Sequence, residues 1–346
     1  MRILFAGSPA IAVPALEALV ERELSGEDYT VAGIVTNPDS PRGRHGTPEP
    51  TAIGAAATAL SEKLHPEGRP RIVQLKPPNR SALTGELVAP LQPDLLVSFA
   101  YGHIFSPQFL ALFPRGGINI HPSLLPKYRG ATPIPAAILG RDRETGITIQ
   151  RLGLEMDTGD ILIQERFPLN GRETTASLSD TAARKGATLL IKALQGLAQG
   201  TLTGSPQTGT ATYCSRITKE DGPIDWSWSA AVIDARIRAF TPWPLAWTMH
   251  GEQYLYILEA MPLDEPEGAR GGRAKAGTVL GTDKNRGILV QTGEGIVGIT
   301  RLQYRAKKAL EWRAFLNGAR NFSNTVLGAP SLDSGSDAGS IEGLSI

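Results

Sequence analysis

The chain has 346 residues, 41% of them hydrophobic and 20% charged, with a formal net charge of +1. A chain of this length and apolar content can bury full cores and points to two domains. Its near-neutral balance excludes nucleic-acid binding driven by overall charge, its single cysteine, Cys214, excludes an internal disulfide or a cysteine-cluster zinc site, and no apolar run approaches the ~20 residues of a membrane span.

Residues 2–6, Arg-Ile-Leu-Phe-Ala, form a short apolar run that predicts a buried first strand. Gly7-Ser8-Pro9 turns it into a helix over 10–22, and 31–35 is the next strand. This order opens a parallel α/β sheet. The amphipathic 10–22 pattern does not have the layout of a signal peptide, so a cytoplasmic location is expected. The first turn lacks Gly-x-Gly-x-x-Gly, which gives no support to a dinucleotide site. Ligands in such sheets still bind at the carboxyl ends of the strands. Residues 36–46 are a polar loop rich in glycine and proline, either an ordinary solvated loop or a basic lip that brings Arg42 and Arg44 to a phosphate backbone. A helix is predicted over 51–63, a strand over 71–75, a helix over 79–91 and a buried strand over 93–100, which runs into Tyr101-Gly102-His103-Ile104.

The strand over 117–121 leads into the most informative stretch, Asn119-Ile-His121-Pro-Ser123-Leu124-Leu125-Pro126. Asn119 and His121 are two residues apart on extended chain, so their side chains point to one face. An amide donor beside an imidazole can hold an oxyanion, and the imidazole can move a proton near neutral pH. Asp157 lies before a Thr-Gly turn between alternating strands at 146–151 and 161–167. Brought back to His121, it could orient the imidazole and take or relay a proton. With no activated nucleophile among the three, direct acyl-type transfer is expected, without a metal. Ser123-Leu124-Leu125-Pro126 offers backbone groups and apolar side chains suited to a flat heterocycle.

The combination of Asn119, His121, Ser123-Leu-Leu-Pro126 and Asp157 resembles the signature of the folate-dependent formyltransferases. The resemblance implies 10-formyltetrahydrofolate as donor and co-substrate, Asn119, His121 and Asp157 as the catalytic trio, and Ser123, Leu124, Leu125 and Pro126 as folate contacts. Tyr101, Gly102 and Ile104 resemble the family segment that lines the folate pocket. Arg129-Gly-Ala-Thr-Pro-Ile134 and the Pro38-Asp39 and Gly43-Arg44 pairs of the first loop resemble the branch that formylates methionyl-initiator tRNA. Here the loop continues without the lysines usual in that branch, which leaves Arg42 and Arg44 as its basic candidates. A sugar-nucleotide N-formyltransferase would share the trio and remains an alternative. A glycinamide ribonucleotide formyltransferase would not need a second domain, and a non-catalytic RNA-binding module would not need the trio.

Thr174 or Thr175 is expected to cap a long helix carrying Leu190, Leu194 and Leu197 on its core face. Residues 1–200 then make a Rossmann-like catalytic domain, and the Gly/Thr/Ser/Pro-rich stretch 201–212 reads as a linker. In 213–324, a helix over 230–240 and five short strands with glycine turns suggest a small barrel of OB type. Lys219 to Trp226 and Pro242-Trp-Pro244 resemble the C-terminal domain of the tRNA-directed branch. The run containing Arg301, Arg305, Lys307 and Lys308 reads as a solvated charge run or as a phosphate-contacting stripe, with Lys307 and Lys308 the tRNA candidates. Residues 325–346 are expected to be a disordered tail and the protein a monomer.

Overall fold

The computed structural model describes residues 1–41, 46–264, 274–319 and 321–328. They fall into two compact units, divided between Ile217 and Thr218.

The first unit is built on seven strands: β1 (Arg2–Ala6), β2 (Thr30–Val35), β3 (Val73–Leu75), β4 (Leu95–Ser98), β5 (Gly117–His121), β6 (Glu144–Arg151) and β7 (Ile161–Pro168). Their spatial order is β7-β6-β5-β4-β1-β2-β3. The five strands from β3 to β5 run parallel, and β6 and β7 join antiparallel at one edge. The central strands are near-continuous Ile, Leu, Val and Phe because both faces are covered. Each such side chain taken fully from water contributes about 1.5–3 kcal/mol.

Alternation along β5 divides two jobs. Ile118 and Ile120 are buried, and Ile120 lies under Gly186 of the long helix Thr175–Ala198, where an added Cβ would come 3.0 Å from Ile120 Cγ2. Asn119 and His121 therefore emerge on the other face. Thr174 caps that helix, with its hydroxyl accepting from Ser177 N. The helix expected over 79–91 is instead two single 3₁₀ turns around a four-residue helix, Gly85–Val88. Asn79 Oδ1 accepts from Ala82 N and from the Ser81 hydroxyl, which closes a tight turn, and Pro90 has no N–H to continue a helix.

The stretch 201–212 is not a linker between the units. Ser205 forms an antiparallel bridge with Ile161, with backbone bonds of 2.8 and 2.9 Å, and Tyr213–Cys214 pairs in parallel with Arg129–Gly130. Composition suggested a free connection, but the backbone is tied into the first unit up to Ile217.

In the second unit the helix Ala230–Ala239 precedes an antiparallel sheet of six strands, five in the order Ala246–His250, Gln253–Leu263, Ile296–Tyr304, Gly287–Gln291, Val279–Asp283, with the short Leu310–Glu311 pairing onto Ile296–Tyr304. Val326 bridges Thr278 and Gly328 bridges Met249, so 326–328 joins the two edges of the sheet and closes it. Leu327 sits in the core with Trp226, Ile257 and Phe322. The tail reading is therefore corrected at its start: 325–328 is part of the barrel wall, while 329–346 lies outside the described residues. Among the described residues no helix is long and apolar enough to cross a membrane.

Candidate active site

β5 delivers Asn119 and His121 to the carboxyl end of the sheet, and antiparallel β6 sets Gln150 opposite Asn119 and Thr148 opposite His121. His121 is 4% exposed. Its Nε2 lies 2.8 Å from the carbonyl oxygen of Tyr128, and its Nδ1 lies 3.5 Å from Asp157 Oδ1. A carbonyl only accepts, so Nε2 carries the proton and Nδ1 faces the carboxylate. Burial holds the imidazole below its ordinary value near 6.5, against the opposing pull of Asp157 and the Tyr128 carbonyl. At neutral pH the ring is neutral and Nδ1 is the atom that can accept a proton.

Asp157 is a non-glycine residue in left-handed backbone, with φ 56°. Its carboxylate is fully engaged: Oδ2 accepts from Gly130 N at 2.8 Å and Oδ1 from Gln150 Nε2 at 2.9 Å. Two glycines are required here. A Cβ on Gly130, whose φ is 115°, would collide with the Cys214 carbonyl, and one on Gly159 would collide with the Arg151 carbonyl. The Asn119 amide, half-exposed beside His121, has no hydrogen-bond partner among the described residues. It is free to donate to a ligand oxygen.

The loop after His121 is braced from beneath. Thr148 Oγ1 donates to Ser123 O at 2.6 Å and accepts from Leu125 N at 3.2 Å and from Gln164 Nε2 at 2.9 Å. Ser123 Oγ donates to Lys127 O at 2.5 Å, and Ser123 and Leu125 are buried. These two side chains shape the loop, while Leu124 and Pro126 remain partly accessible. Thus a polar strand partner and a buried hydroxyl fix the backbone that the sequence singled out.

These features match known proteins. The sequence profile of the formyl transferase family covers residues 1–194, and that of the formyl transferase C-terminal domain covers 216–320. A methionyl-tRNA formyltransferase of Treponema denticola is 46% identical over 324 residues, 93% of this chain and 98% of that protein. One from Chloroflexus aggregans is 40% identical over 92% of this chain and 97% of that protein. The chain belongs to the methionyl-tRNA formyltransferase family. Among solved structures, an N-formyltransferase of Helicobacter canadensis with folinic acid and dTDP-3-aminofucose aligns at TM-score 0.60 and 20% identity, over 86% of this chain and 98% of that one. HypX of Aquifex aeolicus with tetrahydrofolic acid aligns at 0.59 and 18%, over 93% and 48%. At these identities the two share the fold.

The structure of this formyltransferase gathers Asn119, His121 and Asp157, with the 123–126 loop directly after His121. Tyr101 is not a surface group: its ring is 4% exposed, stacks on Phe105 at 5.4 Å, and burial pushes its hydroxyl up to about 12. Gly102 and Ile104 beside it are exposed. Lys307 and Lys308 are exposed in the second unit, on a turn where Gln303 Nε2 donates to Lys307 O. Arg42 and Arg44 lie outside the described residues. His103 contacts Asn37 Oδ1 at 3.1 Å rather than the trio. The sequence reading missed Gln150 and Gln207. Gln150 could have been read from the two polar residues, Thr148 and Gln150, on the face of the strand opposite Ile147 and Ile149. Gln207 left no signal, since its surroundings read as turn and linker.

Proposed function

We propose that this chain transfers the formyl group of 10-formyltetrahydrofolate to the α-amino group of methionyl-initiator tRNA, in the cytoplasm and as a monomer. The observation that carries the chemistry is the single face on which a free Asn119 amide adjoins the His121–Asp157 pair. The donor supplies a formyl carbon bonded to nitrogen. An α-amino group has a pKa near ~8, so a sizeable part is protonated at neutral pH and must lose a proton before it attacks. That first proton goes to water; as the neutral amine then attacks the formyl carbon, His121 Nδ1, neutral and aimed at Asp157, accepts the proton released from the attacking nitrogen, and the carboxylate 3.5 Å away stabilises the imidazolium that results. Asn119 donates to the formyl oxygen as negative charge gathers there. His121 then returns one proton to the departing nitrogen as the carbon–nitrogen bond breaks. The ammonium gives one proton to water and the neutral amine gives one through His121 to the leaving nitrogen, so the His121–Asp157 pair ends as it began.

The Nε2–Tyr128 bond supports a reading in which His121 handles protons through Nδ1 and the oxyanion is left to Asn119. Around this face, the backbone of the 123–126 loop, Leu124, Pro126 and the exposed Gly102 and Ile104 support the reading of a folate site. Buried Ser123, Leu125 and Tyr101 support it indirectly, by holding the shape of the two loops. Lys307 and Lys308, with no acidic partner among the described residues, suit phosphate contacts. Purified protein offered methionyl-initiator tRNA, glycinamide ribonucleotide and a panel of amino-sugar nucleotides, each with 10-formyltetrahydrofolate, should formylate the tRNA fastest. Transfer only to a sugar nucleotide would overturn the acceptor assignment.

A further inference from the structure

Gln207 occupies a place the transfer chemistry has not yet used. Its Nε2 donates to the carbonyl of Asp157 at 2.8 Å and to that of Gly159 at 2.9 Å. Its Oε1 accepts from Arg129 Nε at 3.1 Å and Nη2 at 2.7 Å, a two-pronged grip. Arg129 Nη1 is held in turn by Tyr213 Oη at 3.0 Å. The amide of Gln207 is therefore fixed in orientation by the guanidinium, which accepts nothing and so forces Oε1 toward itself and Nε2 toward the turn. Two residues earlier, Ser205 is bridged to Ile161, which fixes the backbone.

The turn that receives these bonds needs them. Asp157 stands in the left-handed region, which a side chain keeps only where its surroundings over-determine it. Its carboxylate is tied by Gly130 N and Gln150 Nε2, but these fix only the side chain. Gln207 fixes the main chain at both ends of the 157–159 turn.

We infer that Gln207, gripped by Arg129, is a positioning residue for Asp157: it clamps the two turn carbonyls and so sets where the carboxylate stands relative to His121. The proposal rests on the formyl-transfer reading. It assigns to a segment outside the trio the precision of the proton-handling pair, where an offset of 1 Å can cost on the order of a hundredfold in rate.

The ionisable groups around His121 are Asp157, Arg129 and the Cys214 thiol, whose Sγ lies 3.6 Å from Tyr128 O and which burial holds in the neutral form. Of these, Asp157 is the group that raises the His121 titration midpoint. Two variants test the clamp in the full chain: Gln207→Leu, which removes both donors, and Arg129→Lys, which keeps the charge but loses the fork. Expected for Gln207→Leu is a fall in kcat of tenfold or more. KM for both substrates should stay within about twofold. The His121 midpoint, followed by NMR in the substrate-free protein, should fall by about one pH unit as the carboxylate moves away. Arg129→Lys should move both quantities the same way by less, and the double variant should lose less than the two singles combined. An unshifted His121 midpoint in folded protein, in both variants, overturns the proposal, whether kcat holds or falls only with loss of folded protein. The titration needs no substrate. Failure of the wild-type chain to formylate methionyl-tRNA would therefore sink the functional reading and leave this test intact.

Discussion

Asp157 in the first unit and Ala306 in the second are both non-glycine residues in left-handed backbone, at φ 56° and 62°. Their turns are secured in different ways. Around Asp157, donors from Gly130, Gln150 and Gln207 meet the carboxylate and the turn carbonyls, and the side chain is nearly buried. Around Ala306, Lys307 N donates to Tyr304 O, Gln303 closes on Lys307 O, and Arg305, Lys307 and Lys308 stand in solvent. The difference fits the role proposed for each. Moving a proton requires heavy atoms held to a fraction of an ångström. Attracting a phosphate requires only reachable, unpaired charge.

Substitutions can break the comparison at several levels. Asn119→Ala removes the donor for the developing charge, and kcat for formyl transfer should fall by about a hundredfold or more with little change in KM, read by steady-state kinetics. Gly159→Ala forces a Cβ onto the Arg151 carbonyl. It should cost about 2–3 kcal/mol in denaturant unfolding and weaken the Asp157 turn with it. Lys307→Ala and Lys308→Ala should each weaken tRNA binding severalfold, reduce the salt slope by about one and leave kcat unchanged, measured by titration across ionic strengths. Equal loss at all salt concentrations would show that the exposed turn also positions.

The smallest effect is on stability against pH. His121 has its folded pKa depressed below the ordinary value near 6.5. Between those two values the unfolded chain binds the extra proton, so stability rises with pH across the window and is lost as pH falls from 6.5 toward the folded pKa. Thermal unfolding at pH 5 and pH 7.5 should show a smaller acid loss in His121→Gln than in the parent.

Much of this was legible in the sequence because period-two alternation decides which side chains share a face. Asn119 with His121 follows from it, while the buried strands were legible as short continuous apolar runs and the barrel strands as short runs between glycine turns. The Thr174 cap was legible from a hydroxyl placed before a long apolar stripe. Three features were not. Residues 79–91 carry enough apolar residues for a helix, but Asn79, Gly85 and Pro90 favour local turns. Gln207 lies in a stretch whose composition marks a free connection, and its anchoring depends on a partner strand 44 residues earlier in the chain, at Ile161. Residues 325–328 precede a polar terminal stretch, yet a single Leu327 reaches the barrel core. In the last two cases the deciding contact is long-range and leaves no local periodicity.

In the proposed reaction the Asn119–His121–Asp157 face performs the transfer. Single-turnover formylation of methionyl-initiator tRNA by the parent chain and by Asp157→Asn tests it most directly, since the variant keeps the shape of the side chain and removes its charge. The account predicts rapid transfer by the parent and a fall of about a hundredfold to ten-thousandfold in the variant at unchanged substrate binding. Transfer by Asp157→Asn at the parent's rate would contradict it.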